Sequence, residues 1–167
     1  MGQAACSPPC AIEVAKAKKA KEVRTYQRKG REKLKTLSQL CAETQKIVNR
    51  YIRLRDEGLL CISCYERPVT DAGHLFHAGS KYRTSRLRFD HRVLNGQCAH
   101  CNRYKGGGNM QGYESGYLER YGQAAWDEVQ ELKLQADRGE LEPLTDDEVR
   151  EIARTHRRLI REMLKVE

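Results

Sequence analysis

The sequence predicts an α+β chain in which a small hairpin core, pinned by cysteines, sits between flanking α-helices. Cys61-Ile62-Ser63-Cys64 and Cys98-Ala99-His100-Cys101 are two C-x2-C pairs with 33 residues between Cys64 and Cys98. Each pair forms a tight knuckle offering two sulfurs, and two knuckles supply the tetrahedral tetrathiolate set that a structural zinc takes. The interval is longer than the roughly 15–20 residues of a simple zinc ribbon, which leaves room for a β-hairpin between the knuckles. On both sides of this stretch apolar residues recur at helical spacing.

The chain has 167 residues, 39% hydrophobic and 32% charged, which suits one compact domain with appendages and a modest core that zinc would reinforce. No run of about 18 apolar residues occurs, so no membrane-spanning helix is expected. The first residues lack the basic-then-apolar layout of a secretory signal, and Met1-Gly2 is followed by Cys6 where a myristoylation motif wants Ser or Thr. A cytoplasmic protein is expected. Thiols stay reduced there, so paired cysteines read as metal ligands and not as disulfides.

The net charge of +8 is unevenly spread. Residues 1–57 hold 14 Lys and Arg against 6 Asp and Glu, residues 58–115 hold 8 against 4, and residues 116–167 hold 9 against 13. A basic arm leading into a basic core is the electrostatic footprint of a nucleic-acid binder, because neutralised phosphates release their condensed counterions.

Residues 1–35 read as a basic arm, disordered or at most a solvated helix, since Lys, Arg, Glu and Ala dominate without an apolar stripe. Cys6 and Cys10 form a C-x3-C pair with nothing to complete a second site, and no metal is assigned to them. Residues 36–115 hold a helix and the zinc core. Leu37, Leu40, Cys41, Thr44, Ile47, Val48, Tyr51 and Ile52 make a single stripe that Gly58 closes, and Cys41 lies on it as a small core residue. Lys46, Arg50 and Arg53 on the opposite face look to DNA or to water. Between the knuckles, Val69-Thr70 and Leu75-Phe76 suit a small hairpin. The loop from His77 to Arg86, with Lys81, Tyr82 and Arg83, is suited to gripping a phosphate backbone. Gly106-Gly107-Gly108 ends any helix that the second knuckle starts.

Residues 116–167 are helical. Tyr117, Leu118, Tyr121, Ala125, Val129 and Leu132 recur at three and four. After Pro143, Thr145 and Glu148 form a capping box before a stripe of Val149, Ile152, Ala153, His156, Leu159, Ile160 and Leu164. His156 lies in or beside that stripe as a structural residue. The stripe could equally be the interface of a homodimer.

A histidine on the first strand of the hairpin, a polar residue before the second knuckle and an oxygen or nitrogen ligand just after it resemble the HNH, or ββα-metal, nucleases. More closely, Asp71-Ala72-Gly73-His74, Leu87-Arg88-Phe89-Asp90, Gln97-Cys98-x2-Cys101-Asn102-x2-Lys105 and Gly108-Asn109 are similar to the NinG (Rap) family of lambdoid phage recombination proteins. The resemblance covers roughly residues 36–165. It implies a zinc-stabilised ββα-metal core with flanking helices, and a divalent-metal-dependent endonuclease acting on branched recombination intermediates such as Holliday junctions and D-loops. Recombination proteins are possible partners.

Phosphodiester hydrolysis needs a water deprotonated near neutral pH, a task for which histidine is suited. By the resemblance, His74 is that general base. Mg2+ or Mn2+ would offset the developing charge, with Asp71 and Asn102 as candidate ligands, Asn102 standing where the motif has its final histidine. HNH enzymes commonly carry an acidic ligand directly before the histidine, whereas Gly73 intervenes here, and His77 competes with Asp71 for the ligand role. The family's middle Asn falls on Val93, and Asn95, two residues on, is left to orient the histidine unless that role is absent. Lys81, Arg83, Arg86, Arg103 and Lys105 are candidate phosphate contacts. His91 and His100 read as phosphate contacts or surface histidines. The alternative is a non-catalytic zinc module that binds nucleic acid and assists recombination or transcription; it needs both knuckles but not Asp71, His74 and Asn102.

Overall fold

A computed structural model describes residues 7–76, 86–104 and 107–165. The chain divides into two compact units, residues 1–36 and residues 37–167. In the first, helix α1 (Pro8–Lys33) carries no apolar face, and most of its described side chains are exposed. Its Ala, Lys and Glu content favours helix through intrinsic propensity alone.

The second unit is mostly helical around one small sheet. It holds α2 (Leu37–Arg55), β1 (Asp71–His74), a 3-10 turn (Arg86–Phe89), β2 (Leu94–Gln97), a π turn (His100–Tyr104), α3 (Met110–Arg138) and α4 (Asp146–Met163). The stripe expected on α2 is its buried face, with Leu40, Cys41, Val48 and Ile52 in the core. The helix ends three residues before Gly58, which takes a left-handed φ of 79° in the turn that follows. Thr145 and Glu148 form the expected capping box of α4.

β1 and β2 are antiparallel, pairing Asp71 with Gln97, Ala72 with Gly96, Gly73 with Asn95 and His74 with Leu94. Facing residues of such a pair share a side and alternate along each strand. Ala72, His74, Leu94 and Gly96 therefore look one way, and Asp71, Gly73, Asn95 and Gln97 the other. Ala72 and Leu94 join one core with Leu40, Val48 and Ile52 of α2 and Val149 of α4. On the other side Asn95 meets Tyr113 of α3, and Leu75 and Val93 beyond the strand ends join Ile62, Tyr113, Tyr117 and Val129 in a second core. The ribbon is thus a wall between two cores.

Two contacts lock the helices to this wall. Asp56, just past α2, is buried and accepts from Arg55 at 2.6 and 2.8 Å and from the Gly96 N–H at 2.7 Å. On the other side α3 lies so close to the first knuckle that a Cβ on Gly116 would sit 1.8 Å from the Ile62 carbonyl oxygen, and one on Gly112 would sit 2.2 Å from that of Ser63. Backbone cannot yield as a flexible side chain does. Gly116→Ala is therefore expected to destabilise the fold by at least the ~1–3 kcal/mol of ordinary overpacking, read as a lowered midpoint in urea unfolding; an unchanged midpoint would contradict the packing described.

His91 differs from the surface residue expected. It is half-buried, stacks on Tyr51 at 5.1 Å, and lies 2.6 Å from His156, Nε2 to Nε2. His156 Nδ1 donates to the Ile152 carbonyl at 2.7 Å, so its Nε2 is the acceptor and His91 the donor. Burial, together with the neighbouring His156 and Arg55, holds His91 below its ordinary pKa, and burial does the same for His156.

Candidate functional site

The two knuckles bring Cys61, Cys64, Cys98 and Cys101 together with all four Sγ atoms within 4.8 Å of one another. Cys64 and Cys98 stand 4.0 Å apart, far beyond a disulfide bond of about 2.05 Å. A tetrahedral zinc with Zn–S of about 2.3 Å sets sulfurs about 3.8 Å apart, so the set fits such an ion. Donors already point at the sulfurs: the Ser63 N–H at Cys61, the Cys101 N–H at Cys98 and the Asn109 side-chain amide at Cys101, each at 3.4 Å. Burial raises the Cys98 thiol, but the Cys101 N–H and the neighbouring thiols outweigh it and draw Cys98 down to about 7; burial, with the other three sulfurs, pushes Cys101 up to about 12. Four crowded thiols resist ionising together unless a cation takes them as thiolates. A metal such as zinc is the group this donor set accepts.

Gln97 ties the knuckles to the ribbon. Its amide donates to Ser63 Oγ at 2.6 Å and to the Gly108 carbonyl at 2.7 Å, and a Cβ on Gly73 would lie 1.9 Å from its Oε1. In the sequence Gln97 and Asn109 stand only as letters of the family motif with no role attached, and Tyr113 does not stand out at all. Gly73 held the available signal, since a glycine inside a strand marks close approach by another group.

At the edge of the ribbon Asp71, Asn102 and Arg103 meet. Asp71 is 9% exposed, and its carboxylate accepts from Asn102 Nδ2 at 3.0 Å and from Arg103 Nε and Nη2 at 2.7 and 3.0 Å. Strand and π turn thus join residues 31 positions apart in sequence. Arg103, a candidate phosphate contact, is here the bidentate partner of Asp71, while much of its side chain remains in solvent. His74 closes β1 on the opposite face, half-buried with Nε2 shielded from solvent.

Asn95 is 1% exposed. Tyr121 donates to its Oδ1 at 2.7 Å and Arg55 at 3.4 Å, and its Nδ2 donates to the Tyr113 hydroxyl at 3.0 Å. Its side chain leaves the ribbon on the face away from His74, and its bonds to Arg55 of α2 and to Tyr113 and Tyr121 of α3 fasten both helices to the ribbon. Tyr113 is held protonated well above its ordinary pKa by complete burial.

Arg86 pairs with Glu148 of α4 at 2.7 Å, both ends exposed. Glu148 is pulled down to about 2, first by the Thr145 N–H of the capping box and then by Arg86. Cys10 is half-buried in the first turn of α1, and among the described residues only the four knuckle cysteines form a metal-binding group. Cys6, His77, Lys81, Arg83 and Lys105 lie outside the described residues.

These features define a small, mostly helical α+β protein organised around a cysteine cluster suited to a metal such as zinc. The family model described as Bacteriophage Lambda NinG protein matches residues 2–167, and the chain belongs to the NinG family. It is 36% identical over 149 residues to Protein ninG of Salmonella phage P22, covering 75% of this chain and 70% of that protein. It is 34% identical over 149 residues to Protein ninG of Escherichia phage lambda, covering 75% and 69%. Protein ninG of Escherichia phage 933W is 40% identical over 103 residues, 58% of this chain and 47% of that protein, so this match spans about half of the relative's length. No solved structure matches. Among the described residues no helix is long and apolar enough to cross a membrane.

Proposed function

We propose that the chain is an HNH-type endonuclease that hydrolyses phosphodiester bonds in DNA, with branched recombination intermediates as the substrate that the family resemblance implies. The observation that carries this reading is the meeting of Asp71 with Asn102 beside the cysteine cluster, which sets a carboxylate and an amide, both hard oxygen donors, side by side. A divalent cation such as Mg2+ or Mn2+, when bound, would polarise the attacking water and offset charge on the phosphate. Asp71 and Asn102 are the residues that would hold it. Asn102 presents Nδ2 to Asp71, and turning the amide over presents Oδ1 instead. Arg103 keeps the nearly buried carboxylate compensated, and it is a charge that a phosphate could draw on. His74 accepts the proton of the water.

A second reading, a non-catalytic nucleic-acid-binding module, is favoured by two observations. Three donor contacts already occupy Asp71, and strand alternation sends His74 to the other face of the ribbon. One assay separates the two. Incubation with a synthetic four-way junction and a matched linear duplex, with and without Mg2+ or Mn2+, is expected to give metal-dependent cleavage of the junction. Binding without cleavage under every metal condition would leave the module as the better account.

A further inference from the structure

The last third of the chain is acidic as a sum, yet its structure is not acidic on every side. Along α4 the carboxylates Asp146, Asp147 and Glu148 fill the first turn, whereas Arg154, Arg157, Arg158 and Arg161 crowd the second half. Glu151 pairs with Arg154, and Glu162 lies 3.8 Å from Arg158. Arg157 and Arg161 have no ion pair among the described residues. They line a cleft of about 480 Å3 between α4 and α2, and the opposite wall carries Lys46 and Arg50, which also have no ion pair there. Ile47, Ile160 and Leu164 line the same cleft, and no carboxylate does.

We propose that this cleft is a second nucleic-acid site, one that grips the sugar-phosphate backbone away from the ribbon. Each wall holds two cations at i, i+4, spaced about 5–6 Å at their Cβ atoms, an arrangement that destabilises a helix through like-charge repulsion. A linear polyanion relieves the repulsion on both walls at once, and a single small anion does not. Arginine forks take phosphate oxygens bidentately, and Ile47 with the exposed Leu164 can meet sugar or base faces. The inference rests on the nucleic-acid part of the reading above and is independent of cleavage. It gives a protein that works on branched DNA a hold on a second duplex arm.

The test measures binding of a fluorescent four-way junction to the full chain across a salt series. The variants are Arg157→Gln with Arg161→Gln, and Lys46→Gln with Arg50→Gln; glutamine keeps these exposed helical positions favourable. Lys133→Gln with Arg138→Gln on α3 makes the same change in charge elsewhere. Two lost phosphate contacts should flatten the log-affinity against log-salt slope by about 2 and lower affinity at 0.1 M salt by about 10- to 100-fold. The α3 pair should stay near the parent. Parental affinity and slope in both cleft variants would overturn the proposal. So would a cleft variant that dissociates an oligomer in sedimentation while binding DNA normally, which would make a second copy of the chain the occupant. A parent that cuts no DNA removes the nuclease reading and leaves this comparison intact.

Discussion

Replacing His74 with alanine should leave a chain that folds, keeps its metal and binds junction DNA, but cuts at least ~10²–10⁴-fold more slowly, the usual contribution of a positioned general base. The fold should survive because His74 is half-buried at the end of β1 and the backbone carries the pairing: the Leu75 N–H still reaches the Val93 carbonyl at 2.8 Å beyond the strand. The removed ring is no part of the cysteine cluster, so metal content should not change. Single-turnover cleavage, junction binding and elemental analysis on the same preparation distinguish these effects. If the variant cuts as fast as its parent, the proposed base is wrong, and any activity belongs to other residues or to a contaminant.

The larger effect is expected from the cysteines. One zinc per chain should be found, and Cys98→Ser should lose it together with the fold of residues 61–104. Structural zinc binds small peptides with apparent free energies of about 10–16 kcal/mol, as large as the ~5–15 kcal/mol net stability of a whole domain. The ribbon has only four residues per strand and depends on the knuckles that flank it. Binding and cleavage should therefore vanish together, unlike in the His74 variant. Cys41 provides the contrast: it is buried in the α2 core, away from the cluster, so Cys41→Ala should keep a full complement of metal. Elemental analysis that finds no zinc in folded, soluble protein would sink this prediction.

Features set by local spacing were legible in the sequence. The knuckles follow from C-x2-C, the buried face of α2 from its stripe, and the start of α4 from Thr145 and Glu148, because each depends on residues within a turn or two of one another. Features set by the meeting of distant elements were not. β1 runs through Ala72 and Gly73, neither a strand former, because Gln97 needs the space over Gly73 and β2 supplies the partner. Asn95 reads as an orienting residue until α2 and α3 are in place, and it then serves Arg55, Tyr113 and Tyr121. The basic wall of α4 was hidden because net charge adds up over every face of a helix, while a partner meets one.

The packing of α2 on α4 also sets a waiting time. Thr44 Oγ1 donates to the Val149 carbonyl across 105 positions, and Leu40, Val48 and Ile52 share their core with Leu144 and Val149. During synthesis at roughly 5–20 residues per second, α2 emerges ~5–20 s before the helix that covers it. For that interval its apolar stripe stands open to water and to other chains, and loop closure over such a distance is slow relative to local helix formation. The burden of keeping the nascent chain soluble falls on the charges around that stripe, Lys46, Arg50 and Arg53, whose mutual repulsion keeps neighbouring chains apart until α4 arrives.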